Sequence, residues 1–191
     1  MFKLAIVLAL ACFAHSLPTQ ESETRNVQII TRAQWGARAP NSRTTLATPV
    51  PEVIIHHSFS PGACWSQSAC ATAMRSMQNH HMNTNGWADI GYNFAVGSDG
   101  LVYEGRGWTT QGAHAPAVNS RSIGICLIGN WSTTSPPAVQ LTATQNLINM
   151  GMSNGRIQRA HWLRGHRQVT ATDCPGNTLF NTIRSWPNFR A

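Results

Sequence analysis

The 191-residue sequence predicts one α/β domain of the mixed α+β kind, a central mixed β-sheet flanked by about three helices. Two observations carry that expectation. Short β-branched runs alternate only partly with stretches of helical spacing, which favours one mixed sheet over a strictly wound parallel one. The length supports one full hydrophobic core and is short for two.

The elements follow in order. Val27-Gln-Ile-Ile30 reads as a short strand, and the next connection, 38–51, is punctuated by Pro40, Pro49 and Pro51. Val53-Ile-Ile-His-His-Ser58 starts β-branched and ends polar, a strand that delivers His56 and His57 to its C-terminal rim. Residues 67–85 lack Pro and Gly, and Ala71, Met74, Met77 and His81 recur on a helical spacing, with Gly86 as the stop. Residues 90–96 and 101–104 form a hairpin across Gly97-Ser-Asp-Gly100. The near-continuous apolar run 122–128 suits the sheet centre. A second helix is expected over 141–155, after Pro136-Pro137, and a third over 179–186, ended by Pro187.

The N-terminus reads as an export signal over 1–16: Lys3, an apolar run from Leu4 to Ala14, then small residues around Ser16. That run is too short for a permanent membrane span. A flexible polar leader, 17–26, and a single domain, 27–191, complete the expected organisation of a secreted, extracellular protein. Fourteen Lys plus Arg against seven Asp plus Glu give a formal net charge of +7. A basic extracellular protein is drawn to anionic surfaces. The arginines are scattered, with no run of five or more, so no nucleic-acid stripe is present and nucleic acid is not an expected partner.

Cys12 falls in the signal, leaving Cys64, Cys70, Cys126 and Cys174, which permit three pairings. Cys64 and Cys70 can close a small disulfide loop in an oxidising compartment. Cys126, inside an apolar strand, reads as a buried thiol. Cys174 has no evident partner: it is either a metal or reactive cysteine, or bridged to Cys126. His56 at a strand end, with His166 and Cys174 flanking the loop 167–173, supplies the imidazole and thiolate donors that zinc prefers. Three protein ligands leave a fourth position open, as catalytic zinc sites do. Spacing alone is weak support, because there is no HExxH and no CxxC pair, and five other histidines compete.

The ordered motifs Ile54-Ile-His-His-Ser58, Gly86-Trp-Ala-Asp-Ile-Gly-Tyr-Asn-Phe94, Val102-Tyr-Glu-Gly-Arg-Gly-Trp108, Gly112-Ala-His114, Ser122-Ile-Gly-Ile125, and Gly165-His-Arg through Cys174-Pro-Gly cover nearly all of 27–191. In them the chain resembles the peptidoglycan recognition proteins, relatives of the phage-lysozyme type of amidase. The resemblance implies a groove that holds bacterial muropeptides, and a Zn2+ held by His56, His166 and Cys174. It implies Tyr92 bonding near the metal's water or the substrate carbonyl, and Thr172 helping to stabilise the reacting oxygen. Binding-only members usually replace the cysteine, so its retention points to an N-acetylmuramoyl-L-alanine amidase of innate immunity; a non-catalytic receptor is the alternative. Gly86, Trp87 and Arg106 resemble the pattern that prefers diaminopimelate, whose extra carboxylate an arginine can pair. His57, Trp65 and His114 are expected along the groove, and Cys64–Cys70 matches the family's short disulfide.

Overall fold

A computed structural model describes residues 27–191; the signal and leader expected over 1–16 and 17–26, with Cys12, lie outside the described residues. Ten helices and strands run in the order β1 (Ile29–Ile30), α1 (Arg32–Trp35), β2 (Val50–His57), α2 (Gln67–Asn79), β3 (Phe94–Val96), β4 (Val102–Glu104), β5 (Ser122–Leu127), α3 (Ala138–Ser153), β6 (Ile157–Gly165) and α4 (Asn177–Ile183). The six strands form one mixed sheet in the order β1-β4-β3-β5-β2-β6, antiparallel only at the β3–β4 hairpin. The α/β expectation holds, with four α-helices rather than three.

Both faces of the central strands are covered, which is why β2 and β5 read as unbroken apolar runs. Val53, Ile55, Ile123, Ile125 and Leu127 join Leu147 of α3 and Leu179 and Ile183 of α4 in one core cluster. Cys126 and Ile128 join Met74 and Met77 of α2 in the other. Alternation along β2 and β5 therefore sends His56 and Cys126, which pair in register, to the same face.

Two elements escaped the sequence reading. Helix α1 is only one turn, yet Thr31 and Gln34 form a reciprocal capping box and Gly36 (φ +75°) closes it, a signal visible in Thr31-Arg-Ala-Gln34. Strand β6 was hidden because its buried positions are Ile157, His161, Leu163 and Gly165, with the two strongly apolar ones separated by His161 and exposed residues. Helix α2 also ends earlier than expected. Past Asn79 the backbone widens to an i+5 turn over His80–Thr84, with Asn85 N–H donating to His80 O at 3.2 Å. Gly86 then takes φ +69°, a conformation a side chain would strain. Cys64 and Cys70 are disulfide-bonded and Cys126 and Cys174 are free, which removes the Cys126–Cys174 alternative.

Candidate metal centre and adjoining cleft

Sheet register brings the three ligand candidates together. His56 is the penultimate residue of β2. Ile55 pairs with Gly165 of β6, so His166, one residue further on, emerges beside His56. The loop after it turns back: Arg167 N–H donates to Cys174 O (2.9 Å), and Cys174 N–H to Thr172 Oγ1 (3.2 Å). One donor atom from each of His56, His166 and Cys174 lies within 4.8 Å of the other two.

The geometry fits a shared ion. Two donors on one tetrahedral zinc, with bonds of about 2.1 and 2.3 Å, sit about 3.6 Å apart. Cys174 Sγ lies 3.7 Å from His56 Nδ1. His166 Nε2 is buried with no hydrogen-bond partner, a cost that a coordinated cation would relieve. Burial holds His56 well below the usual imidazole range, with His114 and His166 adding to the effect, so both candidate imidazoles are neutral with lone pairs to give. Burial pushes the Cys174 thiol up to about 12 against the opposing effects of the His57 backbone and Arg167; a cation is what would draw that proton off.

Tyr92 stands beside this cluster, its ring 5.2 Å from that of His56 and 5.7 Å from that of His81. Burial, with the thiols of Cys126 and Cys174 nearby, raises its phenol well above the ordinary range. It is a hydrogen-bond donor at any physiological pH. On its other side opens a cleft of about 250 Å³ lined by Ser58, Ser60, Pro61, Met77, His80, His81 and Tyr92. His80 and His81 are two of the competing histidines in the sequence, and His81 also falls on the helical spacing of 67–85. Their position at the end of the helical run, shortly before the Gly86 stop, is the one sequence feature that points to them. Gly91 N–H donates to His81 Nδ1 (3.1 Å), and burial lowers that imidazole to about 4, so it too is neutral.

The remaining site candidates are spread around this centre in different states. Trp87 lies against His81, ring centroids 4.7 Å apart, and a Cβ on Gly91 would come within 2.8 Å of its ring. Trp65, on the disulfide loop, is 66% exposed, so its ring is no part of the core. Thr172 is exposed and its oxygen accepts from Cys174 N–H, leaving its proton free. His57 and His114 are each only 6% exposed, and both rings are engaged by the protein itself. His57 Nδ1 accepts from Trp131 N–H (3.2 Å), and His114 Nδ1 meets His56 Nε2 at 3.1 Å.

Arg106 departs from the picture of a free guanidinium. It donates to the carbonyls of Ile90 (Nε, 2.7 Å), Gln111 (Nη1, 2.9 Å) and, more weakly, Asp89 (Nη2, 3.4 Å). Those bonds tie the segment before Tyr92 to the one before His114, and leave only part of the five-donor fork for a ligand. Arg106→Val is therefore expected to lower stability by roughly 2–4 kcal/mol in urea unfolding, as several carbonyls lose a charged donor. It should also narrow any preference for diaminopimelate- over lysine-type peptides; an unchanged ratio with lost stability assigns Arg106 to structure alone.

A parallel-sheet rim thus gathers two imidazoles and a thiol around one point, a donor set that could hold a metal ion, with a polar cleft beside it. Comparison with known proteins agrees: residues 46–177 match the N-acetylmuramoyl-L-alanine amidase family model. The chain belongs to that family, in the branch of the peptidoglycan-recognition proteins. It is 49% identical to peptidoglycan-recognition protein LB of Drosophila melanogaster over 162 residues, 85% of this chain and 70% of that protein. It is 47% identical over 162 residues to the N-acetylmuramoyl-L-alanine amidase of Sus scrofa, covering 83% of this chain but 27% of that longer protein. Among solved structures, wild-type Drosophila PGRP-LB superposes with a TM-score of 0.85 at 49% identity, covering 86% of this chain and 96% of that one. A Tyr-to-Phe mutant of the same protein, in complex with tracheal cytotoxin, matches with a TM-score of 0.85 at 48% identity, over 85% and 96% of the two chains. Among the described residues no helix is long and apolar enough to cross a membrane.

Proposed function

We propose that this protein is a secreted, zinc-dependent amidase that binds bacterial peptidoglycan of the diaminopimelate type and hydrolyses the bond between N-acetylmuramic acid and L-alanine. In this reading 1–16 is the export signal, 17–26 a leader and 27–191 the working domain, acting in innate immunity. The observation that carries it is the convergence of His56, His166 and Cys174 donor atoms within 4.8 Å, with Cys174 unbridged. Zinc held there would supply Lewis acidity and a water activated near neutral pH.

The chain's own residues do the rest. The cleft along His80, His81 and Tyr92 receives the stem peptide and sets the lactyl–alanine amide next to His56. Tyr92, kept protonated by its burial, donates toward the oxygen on which charge grows as the carbonyl becomes tetrahedral. The Thr172 hydroxyl, its oxygen fixed by Cys174 N–H, offers a second donor from the loop. Net hydrolysis leaves a free lactyl carboxylate on the sugar and a free amine on the alanine. Trp87 against His81, and the unspent N–H groups of Arg106, supply the preference at the third stem residue.

The test is to incubate purified protein with diaminopimelate-type peptidoglycan, with zinc or with a chelator, and to identify products by mass spectrometry. Release of stem peptides with intact glycan is expected only when metal is present. Intact linkages in the zinc-loaded sample would reject the amidase reading in favour of a binding-only receptor.

A further inference from the structure

We propose that His114 is the positioning residue of the metal centre, orienting His56 and fixing which of its nitrogens is free to bind an ion. The inference rests on the zinc reading above but asks a different question of it. His56 faces the cluster with Nδ1, 3.7 Å from Cys174 Sγ, and faces away from it with Nε2, 3.1 Å from His114 Nδ1. A neutral imidazole has one proton. For Nδ1 to carry a lone pair, that proton must sit on Nε2, and His114 Nδ1 must accept it. His114 is then protonated on Nε2, which points to Ser122 Oγ at a long 3.5 Å, and Ser122 Oγ donates onward to Val118 O at 2.8 Å. One choice of tautomer at the ligand sets every donor and acceptor down to the backbone. Outer partners of this kind hold a ligating imidazole in its tautomer and plane.

A second observation shows that the fold is built around this ring. Gly124 lies in β5, at the middle of the sheet, where a glycine gives up packing and β-propensity. A Cβ there would fall 2.3 Å from His114 Cδ2 and 2.4 Å from its Cγ. A Cβ on Gly112 would fall 2.4 Å from the same Cδ2. Two glycines, one from the strand and one from the loop, thus leave the space the imidazole fills. The loop is fixed in turn by Asn119, whose Oδ1 accepts from the N–H groups of both His114 (3.0 Å) and Ala115 (2.8 Å). His114 is 6% exposed, so nearly all of its ring is taken up by contacts within the protein.

The experiment measures zinc affinity of the full domain by competition with a chromogenic chelator, alongside the visible spectrum of the cobalt(II)-substituted protein. His114→Leu removes the acceptor and is expected to weaken zinc binding roughly 10- to 100-fold and to change the cobalt spectrum. His114→Asn places a carbonyl oxygen near the position of Nδ1 and should restore affinity to within a few-fold, with the wild-type spectrum. Gly124→Ala touches no ligand, yet by crowding the ring it should weaken zinc binding in the direction of His114→Leu. Leucine equal to wild type, or asparagine no better than leucine, overturns the proposal. If the leucine variant does not fold by circular dichroism, wild type and His114→Asn binding more tightly than Gly124→Ala supports it, and equal affinities for all three defeat it. Absence of zinc binding in the wild type sinks the amidase reading itself, a result distinct from either.

Discussion

Cys174→Ser is expected to end amide hydrolysis while leaving muropeptide binding nearly intact. The thiol is the one candidate donor that carries charge once coordinated. Burial pushes its proton up to about 12, so the thiolate forms only where a cation repays the desolvation. A serine hydroxyl is a far weaker acid and a harder donor, poorly suited to complete a zinc site built on two imidazoles. Zinc affinity should fall by at least about 100-fold, and hydrolysis of a defined muropeptide by roughly 1000-fold or more, because Lewis acidity and the activated water are lost together. Binding should change little: the cleft residues Ser58, His80 and His81 come from the β2–α2 region and make no hydrogen bond to Cys174. The check is a paired measurement, metal content and turnover on one side, titration with uncleaved muropeptide on the other. Loss of peptide binding in parallel with turnover would show instead that the ion holds the loop 167–173 in place and that its role is structural.

Why this centre could be read from sequence only in part follows from how each residue reaches it. His56 was legible by pattern, because an apolar β-branched run that ends in His-His places those rings at a strand rim whatever the rest of the chain does. His166 and Cys174 were suggested only weakly by residue type and spacing, and family resemblance singled them out from the competing histidines. Their approach to His56 depends on the register of Gly165 against Ile55, and β6, the strand that sets it, carries too little apolar alternation to be seen. His114 and Arg106 were picked out as functional, but the contacts that hold them inside the protein were not foreseen. Each is enclosed by groups from its own segment and from others. For His114 those are His56 of β2 and the two glycines; for Arg106 they are carbonyls at Asp89, Ile90 and Gln111. A polar side chain that meets its partners across the fold looks, in sequence, the same as one awaiting a ligand. The π-type turn at His80 was equally invisible, since no composition distinguishes it from the last turn of an α-helix.

Tyr92→Phe separates the metal from the chemistry around it, and its expected effect is the second largest. The substitution removes one oxygen from a ring that stays packed 5.2 Å from His56 and 5.7 Å from His81, so neither ligand geometry nor cleft shape should move. Zinc content and muropeptide affinity should stay within about two-fold of wild type, because the three proposed ligands, His56, His166 and Cys174, are all retained. What disappears is a donor aimed at the oxygen that gains charge during the reaction, and loss of one such donor typically lowers kcat by about 100- to 1000-fold. The phenol's raised pKa sharpens the prediction: the group acts as a fixed donor and does not ionise in the working range, so the remaining activity should keep the wild-type pH profile. A drop in kcat with KM, zinc content and pH profile unchanged is the signature of a group that acts on the developing charge. A shifted pH profile would mean that Tyr92 moves a proton during turnover. A fall in zinc content would mean that its ring is needed to hold His56 in place, which would shift its role from the reacting oxygen to the ligand.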